Sequence, residues 1–497
     1  MNPVFELEDR RGGGWRRLLP VAAILIVLIP LGGILLSLGA PRLVEVSPGV
    51  DAQNVPAYSE LRLTFSRPMD PQSVAERLTI QPENPGAFQW QGATLIFAPD
   101  EPWPNGATVR VRLAAGARAA GWPSLALRDE SAWGFRIGQP RLIFLFPSDG
   151  PANIYQYSPT SGEFVQLTNS LTGVLEFDAA ADGSALYYSQ NSPEEASYIL
   201  RLPLNRAVAS TRAEDAAIEP ESAELEVAEP QKIITCPQAV CRAPRLAPDG
   251  NLLAYERTGL VGGEGPLYPQ VWLAPISPDG KMGEPYLAGA AGDQTVQPAW
   301  SPAGWLTFYN TTNEMFVATN PATGERRTFT NSTGQPGDWD PEGRFFVAPE
   351  ISFLSPTDTD ALPDLEQLAA SHLLRYHLLD NVVENLSQDI ALEDAAPAYS
   401  PDGGQLACAR KFLDPERWTP GHQLWVMNAD GSSARPLTNE PFYNHYDFAW
   451  SPTGGQLAYV RFEETELTDP PEIWLVDLPG GAAQRVALGG YAPYWLP

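Results

Sequence analysis

The stretch Pro-Ala-Tyr-Ser-Pro-Asp-Gly at residues 397–403 decides the fold, because versions of it recur along the chain. The segment Pro-Asp-Gly favours a tight turn, since proline fixes φ, aspartate hydrogen-bonds its own backbone and glycine takes positive φ. A strand pattern follows each copy, as at residues 456–460. Further copies, some of them degenerate, lie at residues 176–183, 244–250, 298–302, 337–343, 448–454 and 492–497.

Each copy opens a unit of four short strands, which is the pattern of a β-propeller blade. The final copy, at 492–497, has no strand after it, whereas strands at 141–146, 153–158 and 163–168 have no inner strand before them. We therefore expect the C-terminus to complete the first blade and close the ring, which removes open sheet edges. Seven copies predict seven blades, and six is the alternative if the copy at 176–183 forms no blade.

These repeats resemble those of the TolB-like propeller, a WD-like repeat family in which a Pro-x-Trp-Ser-Pro-Asp-Gly turn precedes an Ile-Ala-Phe strand. The resemblance covers residues 140–497 and implies an all-β propeller domain over that range. TolB proteins carry a different N-terminal domain. The resemblance therefore implies the fold, and it does not imply the Tol-system role.

The sequence pattern of residues 41–138 predicts a second, smaller all-β domain. The segment 61–65 alternates apolar and polar residues, and seven such short strands in about 100 residues fit an Ig-like sandwich. Ser-Pro-Gly at 47–49 and Leu-Thr-Phe-Ser-Arg-Pro-Met-Asp at 63–70 resemble the bacterial Ig-like domain of the S-layer SbsA type. That resemblance implies a spacer or adhesive module of an exported protein.

A charge-free apolar run spans residues 18–38 and follows Arg10, Arg11, Arg16 and Arg17. About 20 apolar residues suffice for a transmembrane helix, and positive charge stays on the cytoplasmic side. We therefore expect a cytoplasmic tail at 1–17, a membrane-spanning helix at 18–39 and an extracytoplasmic remainder. A signal peptide cleaved near residues 37–39 is the alternative, which the length of the apolar run disfavours.

Charge and cysteine content narrow the choice of partners and compartment. The net charge of −28 repels phosphate backbones, so we expect no nucleic-acid partner. Cys236 and Cys241 are five positions apart, and the sequence leaves open whether they pair in an oxidising compartment. Cys408 lies in a strand pattern and is expected to be a buried free thiol.

Motifs for catalysis, metals and cofactors are missing from the sequence. It contains no Gly-x-Ser-x-Gly elbow, no His-x-x-x-His pair and no Cys-x-x-Cys pair. We therefore predict a non-enzymatic binding or scaffold protein of the bacterial cell envelope, without catalytic residues, metal or cofactor, that engages a protein or glycan. The alternative is a propeller-type hydrolase or lactonase that uses carboxylates at the channel mouth.

The long loops of the predicted propeller indicate where a ligand would bind. Connections between second and third strands emerge on the same face as connections between blades, and long loops on one face mark a binding surface. The segment Asn444, His445, Tyr446 and Asp447 is predicted to be such a connection near the channel, and Tyr491 joins it as a binding candidate. The sequence also predicts an ion pair between adjacent blades, because Glu176 and Arg245 occupy equivalent positions just before the inner-strand aromatic residue of their repeats.

Overall fold

The computed structural model describes residues 40–192, 196–204, 229–263, 265–277, 280–353, 369–380, 382–387, 389, 391–466 and 468–497. The predicted tail at 1–17 and the predicted membrane helix at 18–39 lie outside these residues. Over the described part of the chain, no helix has the length and apolar character needed to cross a membrane. The chain divides into two compact units, one mostly before Ile137 and the other mostly after it.

The first unit is an antiparallel sandwich in which all seven predicted strands form. Its elements are β1 (Leu43–Ser47), β2 (Leu61–Phe65), α1 (Pro71–Ala75), β3 (Leu78–Gln81), β4 (Gly86–Gln91), β5 (Thr94–Pro99), β6 (Thr108–Leu113) and β7 (Ser131–Arg136). One sheet has the order β1-β2-β5-β4 and the other β3-β6-β7. Leu61, Leu63 and Phe65 are buried while Arg62 is exposed, so alternation along β2 directs one face into the core.

The second unit begins with three four-stranded antiparallel sheets. Sheet 1 contains β8 (Arg141–Phe146), β9 (Asn153–Ser158) and β10 (Glu163–Gln166) and is completed by the last strand of the chain. Sheet 2 contains β11 (Val174–Ala179), β12 (Ala185–Ser192), β13 (Ala196–Pro203) and β14 (Gln231–Cys236). Sheet 3 contains β15 (Ala239–Leu246), β16 (Leu252–Gly259), β17 (Gln270–Pro275) and β18 (Tyr286–Leu287).

Four further sheets follow in the same strand order. Sheet 4 contains β19 (Thr295–Trp300), β20 (Leu306–Asn310), β21 (Met315–Thr319) and β22 (Arg326–Thr330). Sheet 5 contains β23 (Asp338–Trp339), β24 (Phe345–Phe353), β25 (Ala369–His377) and β26 (Val383–Asn385). Sheet 6 contains β27 (Leu392–Tyr399), β28 (Gln405–Phe412), β29 (Gln423–Asn428) and β30 (Arg435–Pro436). Sheet 7 contains β31 (Tyr443–Trp450), β32 (Gln456–Glu463), β33 (Glu472–Asp477) and β34 (Ala483–Leu488), and β35 (Tyr491–Leu496) returns to sheet 1.

The C-terminal strand closes the ring as the sequence predicts. Strand β35 pairs antiparallel with β8, so that Trp495 lies opposite Leu142 and Tyr491 lies opposite Leu145. The first and last segments of the unit thus share one sheet. Because β35 occupies the edge of β8, that edge is not left open to another chain.

The core of the propeller lies in the spaces between neighbouring sheets. Along β32, Leu457 and Tyr459 pack against sheet 6, whereas Ala458 and Val460 pack against sheet 1. Such strands are buried on both faces, which explains their nearly continuous apolar sequences. Buried apolar clusters of this kind lie between every two successive sheets and between sheet 7 and sheet 1.

Candidate functional site

Five inner strands of the propeller carry a bulge at the same place. The pairing register shifts between Tyr446 and Ala449 in β31, and corresponding shifts occur in β15, β19, β27 and β35. In each bulge one residue has positive φ, and these residues are Ala243, Gln297, Ala396, Asp447 and Ala492. A bulge adds a residue to one strand and redirects the neighbouring side chains. Of these five bulge residues, Asp447 and Ala492 line a cavity.

The aromatic residue of the repeated motif connects one sheet to the next. The indole nitrogen of Trp450 donates to the carbonyl oxygen of Ala398, 3.0 Å away in the preceding sheet. Trp300 donates in the same way to the carbonyl of Arg245. A buried N–H group requires a hydrogen-bond partner. This bond therefore gives a structural reason why an aromatic residue recurs at this position of the motif.

A cavity of about 360 Å³ lies at the channel among the inner strands β11, β15, β31 and β35. Its wall combines charged and aromatic side chains, which are Glu176, Phe177, Asp178, Arg245, Asp447, Phe448, Tyr491 and Tyr494. The strands come from four successive sheets, 7, 1, 2 and 3. The first and last parts of the propeller sequence therefore meet at this cavity.

The predicted ion pair between Glu176 and Arg245 is confirmed. Arg245 Nη2 lies 3.9 Å from Glu176 Oε2, and Arg242 Nη2 approaches Glu176 Oε1 more closely, at 2.6 Å. Arg242 also lies 3.7 Å from Glu256, whose Oε1 accepts a 2.7 Å hydrogen bond from the backbone of Gln297. The carboxylates of Glu176 and Glu256 thus both have partners.

The prediction that Glu176 and Arg245 occupy equivalent positions in their inner strands is wrong. Asp178 of β11 lies opposite Tyr187, and Arg245 of β15 lies opposite Ala254. Asp178 and Arg245 are each the next-to-last residue of their strand. Asp178 is thus the counterpart of Arg245, and its Oδ2 accepts a 2.7 Å hydrogen bond from the backbone of Leu246. Burial raises the pKa of Asp178, and Arg245 opposes that rise.

Asp447 differs from these carboxylates because it has no partner. Across the described residues, no hydrogen bond or ion pair reaches its side chain. The residue is exposed to solvent and lines the cavity. Loss of bulk water around the carboxylate raises its pKa to about 6. The cavity therefore contains an acidic group whose negative charge is not compensated by the protein.

The remaining residues of the predicted site segment have structural contacts. The segment Asn444 to Asp447 lies within strand β31, so its placement in a connection between blades was wrong. His445 is completely buried; its Nδ1 lies 2.8 Å from the carbonyl oxygen of His422 and its Nε2 lies 3.2 Å from Glu440. Asn444 accepts a 3.0 Å hydrogen bond from the backbone of His422. Neither side chain lines the cavity.

Tyr446 also faces away from the cavity, whereas Tyr491 lines it. The ring of Tyr446 packs edge-on against Phe462, with ring centroids 5.6 Å apart. Tyr491 and Asp447, which lie 44 positions apart in the sequence, share the cavity wall. The structure thus brings together two of the five predicted residues.

A network around Arg461 explains why His445 is buried. The guanidinium of Arg461 lies between the rings of Tyr443 and Trp474, 4.2 Å and 4.1 Å from their centroids. Arg461 forms an ion pair with Glu440, and the same carboxylate lies 3.2 Å from Nε2 of His445. The hydrogen bond from His445 contributes most to lowering the pKa of Glu440 to about 2. These residues stabilise sheet 7 and its loop rather than presenting groups to a ligand.

Sequence reasoning missed Asp178, Arg242 and Tyr494. A usable signal existed for Arg242, because it precedes the bulge residue Ala243 just as Tyr491 precedes Ala492. Tyr494 lies at the position that is alanine in β31, and its ring contacts Phe177 edge-on with centroids 6.3 Å apart. Only the tertiary arrangement of the four inner strands shows that these three residues lie at or beside the cavity.

One face of the propeller exposes large apolar side chains on its loops. Connections from second to third strands and from each sheet to the next emerge on the same face, because neighbouring strands alternate in direction. We call this surface the loop face; its exposed apolar residues are Leu171, Leu260, Val261, Leu267, Trp418 and Phe442. Val261 is 91% exposed, and Trp418 and Phe442 are each 53% exposed.

The cysteines form one disulfide and leave one free thiol. Cys236, at the end of β14, is bonded to Cys241 in β15, with Cα atoms 6.1 Å apart. The bond therefore joins sheet 2 to sheet 3. Cys408 is buried and free, and burial raises the pKa of its thiol. Within the described residues, no group of three or more His, Cys, Asp or Glu side chains is arranged to hold a metal ion.

Residues 39–136 match the family of bacterial Ig-like domains. The first unit is a bacterial Ig-like domain. The resemblance that the strand and turn pattern of this segment predicts is therefore confirmed at the level of the family. No curated protein was found to match the sequence.

Solved structures similar to the chain include several propellers. TolB from Acinetobacter baumannii has 11% identity over 85% of this chain and 83% of that chain, with a TM-score of 0.40. A protein thought to be TolB from Agrobacterium tumefaciens has 16% identity over 71% and 91%, with a TM-score of 0.37. The propeller domain of the Trilobed protease from Pyrococcus furiosus has 10% identity over 70% and 95%, with a TM-score of 0.44. Likeness at this level carries no information about ligand or activity.

Proposed function

We propose that this chain is a non-enzymatic binding or scaffold protein of the bacterial cell envelope. Residues 18–39 anchor it in the cytoplasmic membrane as a single helix, with residues 1–17 inside and the rest outside. The charge-free run at 18–38 and the four arginines before it support this orientation. In the sequence the Ig-like domain lies between this anchor and the propeller, and we assign it the role of a spacer.

The propeller of this proposal has seven blades. Support comes from the seven four-stranded sheets of the second unit and from the buried clusters between successive sheets. A closed ring of this kind forms a rigid support for loops, and binding residues are concentrated on loops that a rigid scaffold positions.

The loop face is the observation that carries the proposed binding role. Exposed apolar patches on soluble proteins commonly mark surfaces for proteins or other ligands. Trp418 and Phe442 are aromatic, and aromatic residues are enriched in interfaces and in sites that stack on sugars and rings. We infer that the partner is an envelope protein or a glycan that contacts these loops, and that no nucleic acid binds to a chain of net charge −28.

Photo-crosslinking in the native envelope tests this role. A photoreactive amino acid at Val261 or Trp418 of the full chain should give discrete adducts, whereas one at Leu379 should not. Leu379 is 71% exposed and lies on the opposite face, in the turn between third and fourth strands, so it controls for exposure alone. Equal adduct yields at all three positions would contradict a dedicated binding face.

A second measurement distinguishes a glycan from a protein partner. Purified peptidoglycan should co-sediment with the full chain, and the W418A/F442A variant should co-sediment less, if the ligand is glycan. Adducts in which mass spectrometry identifies peptides of a second polypeptide would indicate a protein. The proposal would be contradicted if peptidoglycan did not sediment the wild-type chain and no protein adduct formed.

A propeller-type hydrolase or lactonase is the second candidate function, and Asp447 is the observation that favours it. A carboxyl group with a pKa of about 6 is near the range where general acids and bases work best. A screen with lactone and ester substrates should compare the full chain with D447N. Turnover that D447N abolishes would support this enzyme, whereas the absence of turnover in both proteins supports the binding role.

Membrane fractionation tests the anchor. The intact chain should remain in the membrane pellet after sodium carbonate extraction, because a spanning helix is not released by high pH. Protease added to spheroplasts should digest the propeller and leave only a short N-terminal fragment. A soluble chain that begins near residue 39 would instead show that the apolar run is cleaved.

A further inference from the structure

Among the described residues, the cavity at the channel contains one carboxylate, that of Asp447, which neither a hydrogen bond nor an ion pair reaches. Arg242 and Arg245 pair with Glu176, and Arg242 also approaches Glu256. Asp178 accepts a backbone hydrogen bond from Leu246. Once these pairs are formed, Asp447 is left with its charge uncompensated, and every other cavity carboxylate has a donor.

The backbone holds Asp447 toward the cavity. Its φ is +51°, in the left-handed region, and its strand pairing is interrupted by the bulge. Aspartate and asparagine tolerate this region better than most residues. At the same position, the inner strands β15, β27 and β35 have alanine, and β19 has glutamine. A carboxylate therefore occurs once among these five bulges, at the cavity.

Aromatic rings complete the wall beside this carboxylate. Phe448 follows Asp447 in the bulge, and Tyr491 and Tyr494 approach from β35. A cation placed over an aromatic face is attracted by the ring's quadrupole, and the attraction increases when water is excluded. A carboxylate next to aromatic rings is thus suited to a cation that has apolar parts.

We propose that this cavity binds the ammonium or guanidinium group of an organic cation, with the carboxylate of Asp447 accepting its hydrogen bonds and Tyr491 contacting its apolar part. The inference goes beyond the proposed function, because it concerns the channel and not the loop face. It can therefore be correct or wrong independently of the partner that the loop face binds.

The size and chemistry of the cavity favour this class of ligand. Its volume of about 360 Å³ is at the small end of ligand pockets. It therefore fits a small molecule or one long side chain of a peptide. Calcium prefers about six to eight oxygen ligands, and within the described residues no cluster of metal-ligating side chains exists.

Two sources can supply the cationic group: a free amine or guanidine, and a lysine or arginine side chain of a peptide. Calorimetric titration of the full chain in nanodiscs distinguishes them. The probes are butylguanidinium, butylammonium, neutral butanol, an acetylated and amidated Gly-Gly-Arg-Gly-Gly peptide, and Ca²⁺ alone. Saturable binding of the two small cations but not of butanol is the expected result. Tighter binding of the peptide than of butylguanidinium would assign the site to a basic side chain.

The decisive variant is D447N. Asparagine has nearly the same shape and also tolerates positive φ, so the bulge should be kept while the charge is removed. Cation affinity should fall about tenfold or more, since the neutral amide oxygen accepts a weaker hydrogen bond from the cation than the carboxylate does. E284Q is the matched control, because Glu284 is exposed outside the cavity and its loss should leave affinity unchanged.

A second pair of variants keeps the test decisive if D447N folds poorly. Y491F retains the ring and should keep the affinity, whereas Y491L removes the ring and should weaken binding severalfold. Three results would overturn the inference: no saturable binding of either small cation, equal affinities of wild type and D447N, or binding of Ca²⁺ that displaces the organic cations.

Discussion

The indole nitrogen of Trp495 donates a hydrogen bond to the carbonyl oxygen of Ala449, 3.0 Å away in the preceding sheet. Trp495 is the third-last residue of the sequence and is buried between β31 and β8. The same bond joins Trp450 to Ala398 one sheet earlier. The last strand thus closes the ring with the contact that joins the sheets elsewhere.

Replacing Trp495 with alanine should destabilise the propeller strongly. Truncating a buried tryptophan leaves a cavity and typically costs about 3–5 kcal/mol. The variant W495F, which keeps a ring but loses the hydrogen bond, should cost less. Urea unfolding of the full chain, followed by far-UV circular dichroism, measures both. W418A is the control, because Trp418 is half exposed and its removal should change the unfolding free energy little. Equal effects of W495A and W418A would contradict the closure role.

Stability should depend on pH through Asp447. Its folded pKa of about 6 lies above the ordinary value of 3.8, so the folded protein holds this proton more tightly than the unfolded chain. The contribution of this group to stability is therefore complete below pH ~4, and it decreases as pH rises to about 6. The groups that share its cavity are Glu176, Asp178, Arg245, Tyr491 and Tyr494.

The variant D447N should lack this decrease. At pH 7 it should be more stable than wild type by about 1 kcal/mol; the full shift would give more, but solvent in the channel screens the charge. Thermal unfolding between pH 4 and 7 measures the difference. A wild-type curve parallel to that of D447N over this range would show that Asp447 keeps an ordinary pKa.

The buried ion pair in sheet 6 should be intolerant of losing one partner. Arg410 lies opposite Asp394 and forms two hydrogen bonds to it, at 2.7 Å and 2.8 Å, and Asp394 is completely buried. R410M should cost about 3–5 kcal/mol, because it leaves a buried charge unpaired. The double variant R410M/D394N should recover part of that loss.

A surface pair provides the matched control for this prediction. Arg417 and Asp414 lie 2.7 Å apart, but the arginine side chain is half exposed. R417M should therefore change the unfolding free energy by only about 0–1 kcal/mol. Urea unfolding of all three variants gives the comparison. An R410M effect as small as that of R417M would mean that water reaches Asp394.

The disulfide determines how many cysteine thiols of the native protein can be alkylated. With Cys236 and Cys241 bonded and Cys408 free, alkylation of denatured protein without reductant should label one thiol. After reduction it should label three. Mass spectrometry of protein isolated from membranes with thiols trapped counts the labels. Three labels without reductant would indicate a reducing compartment and would argue against export, because disulfides persist in oxidising surroundings.

Local pattern allowed the strands, the turns and the interblade ion pair to be predicted. Glu176 and Arg245 were expected to meet because each is a charge at the inner strand of successive units, and they do. The segment from Asn444 to Asp447 was misplaced in a connection, because Tyr443–Trp450 begins its pairing earlier than the apolar pattern suggests. Polar residues such as Asn444 and His445 conceal a strand when their partners are other polar groups.

The sequence by itself determined the repeating sheet, its Pro-Asp-Gly turns and the return of the C-terminus to the first blade. These features follow from alternation and turn chemistry, which act between near neighbours in the chain. Only the tertiary structure decided that Asp447 and Tyr491 share a cavity while His445 is buried. Each bulge inserts a residue that breaks the two-residue period, so counting along the strand no longer gives the face. Partners from four different sheets then determine which carboxylates are compensated.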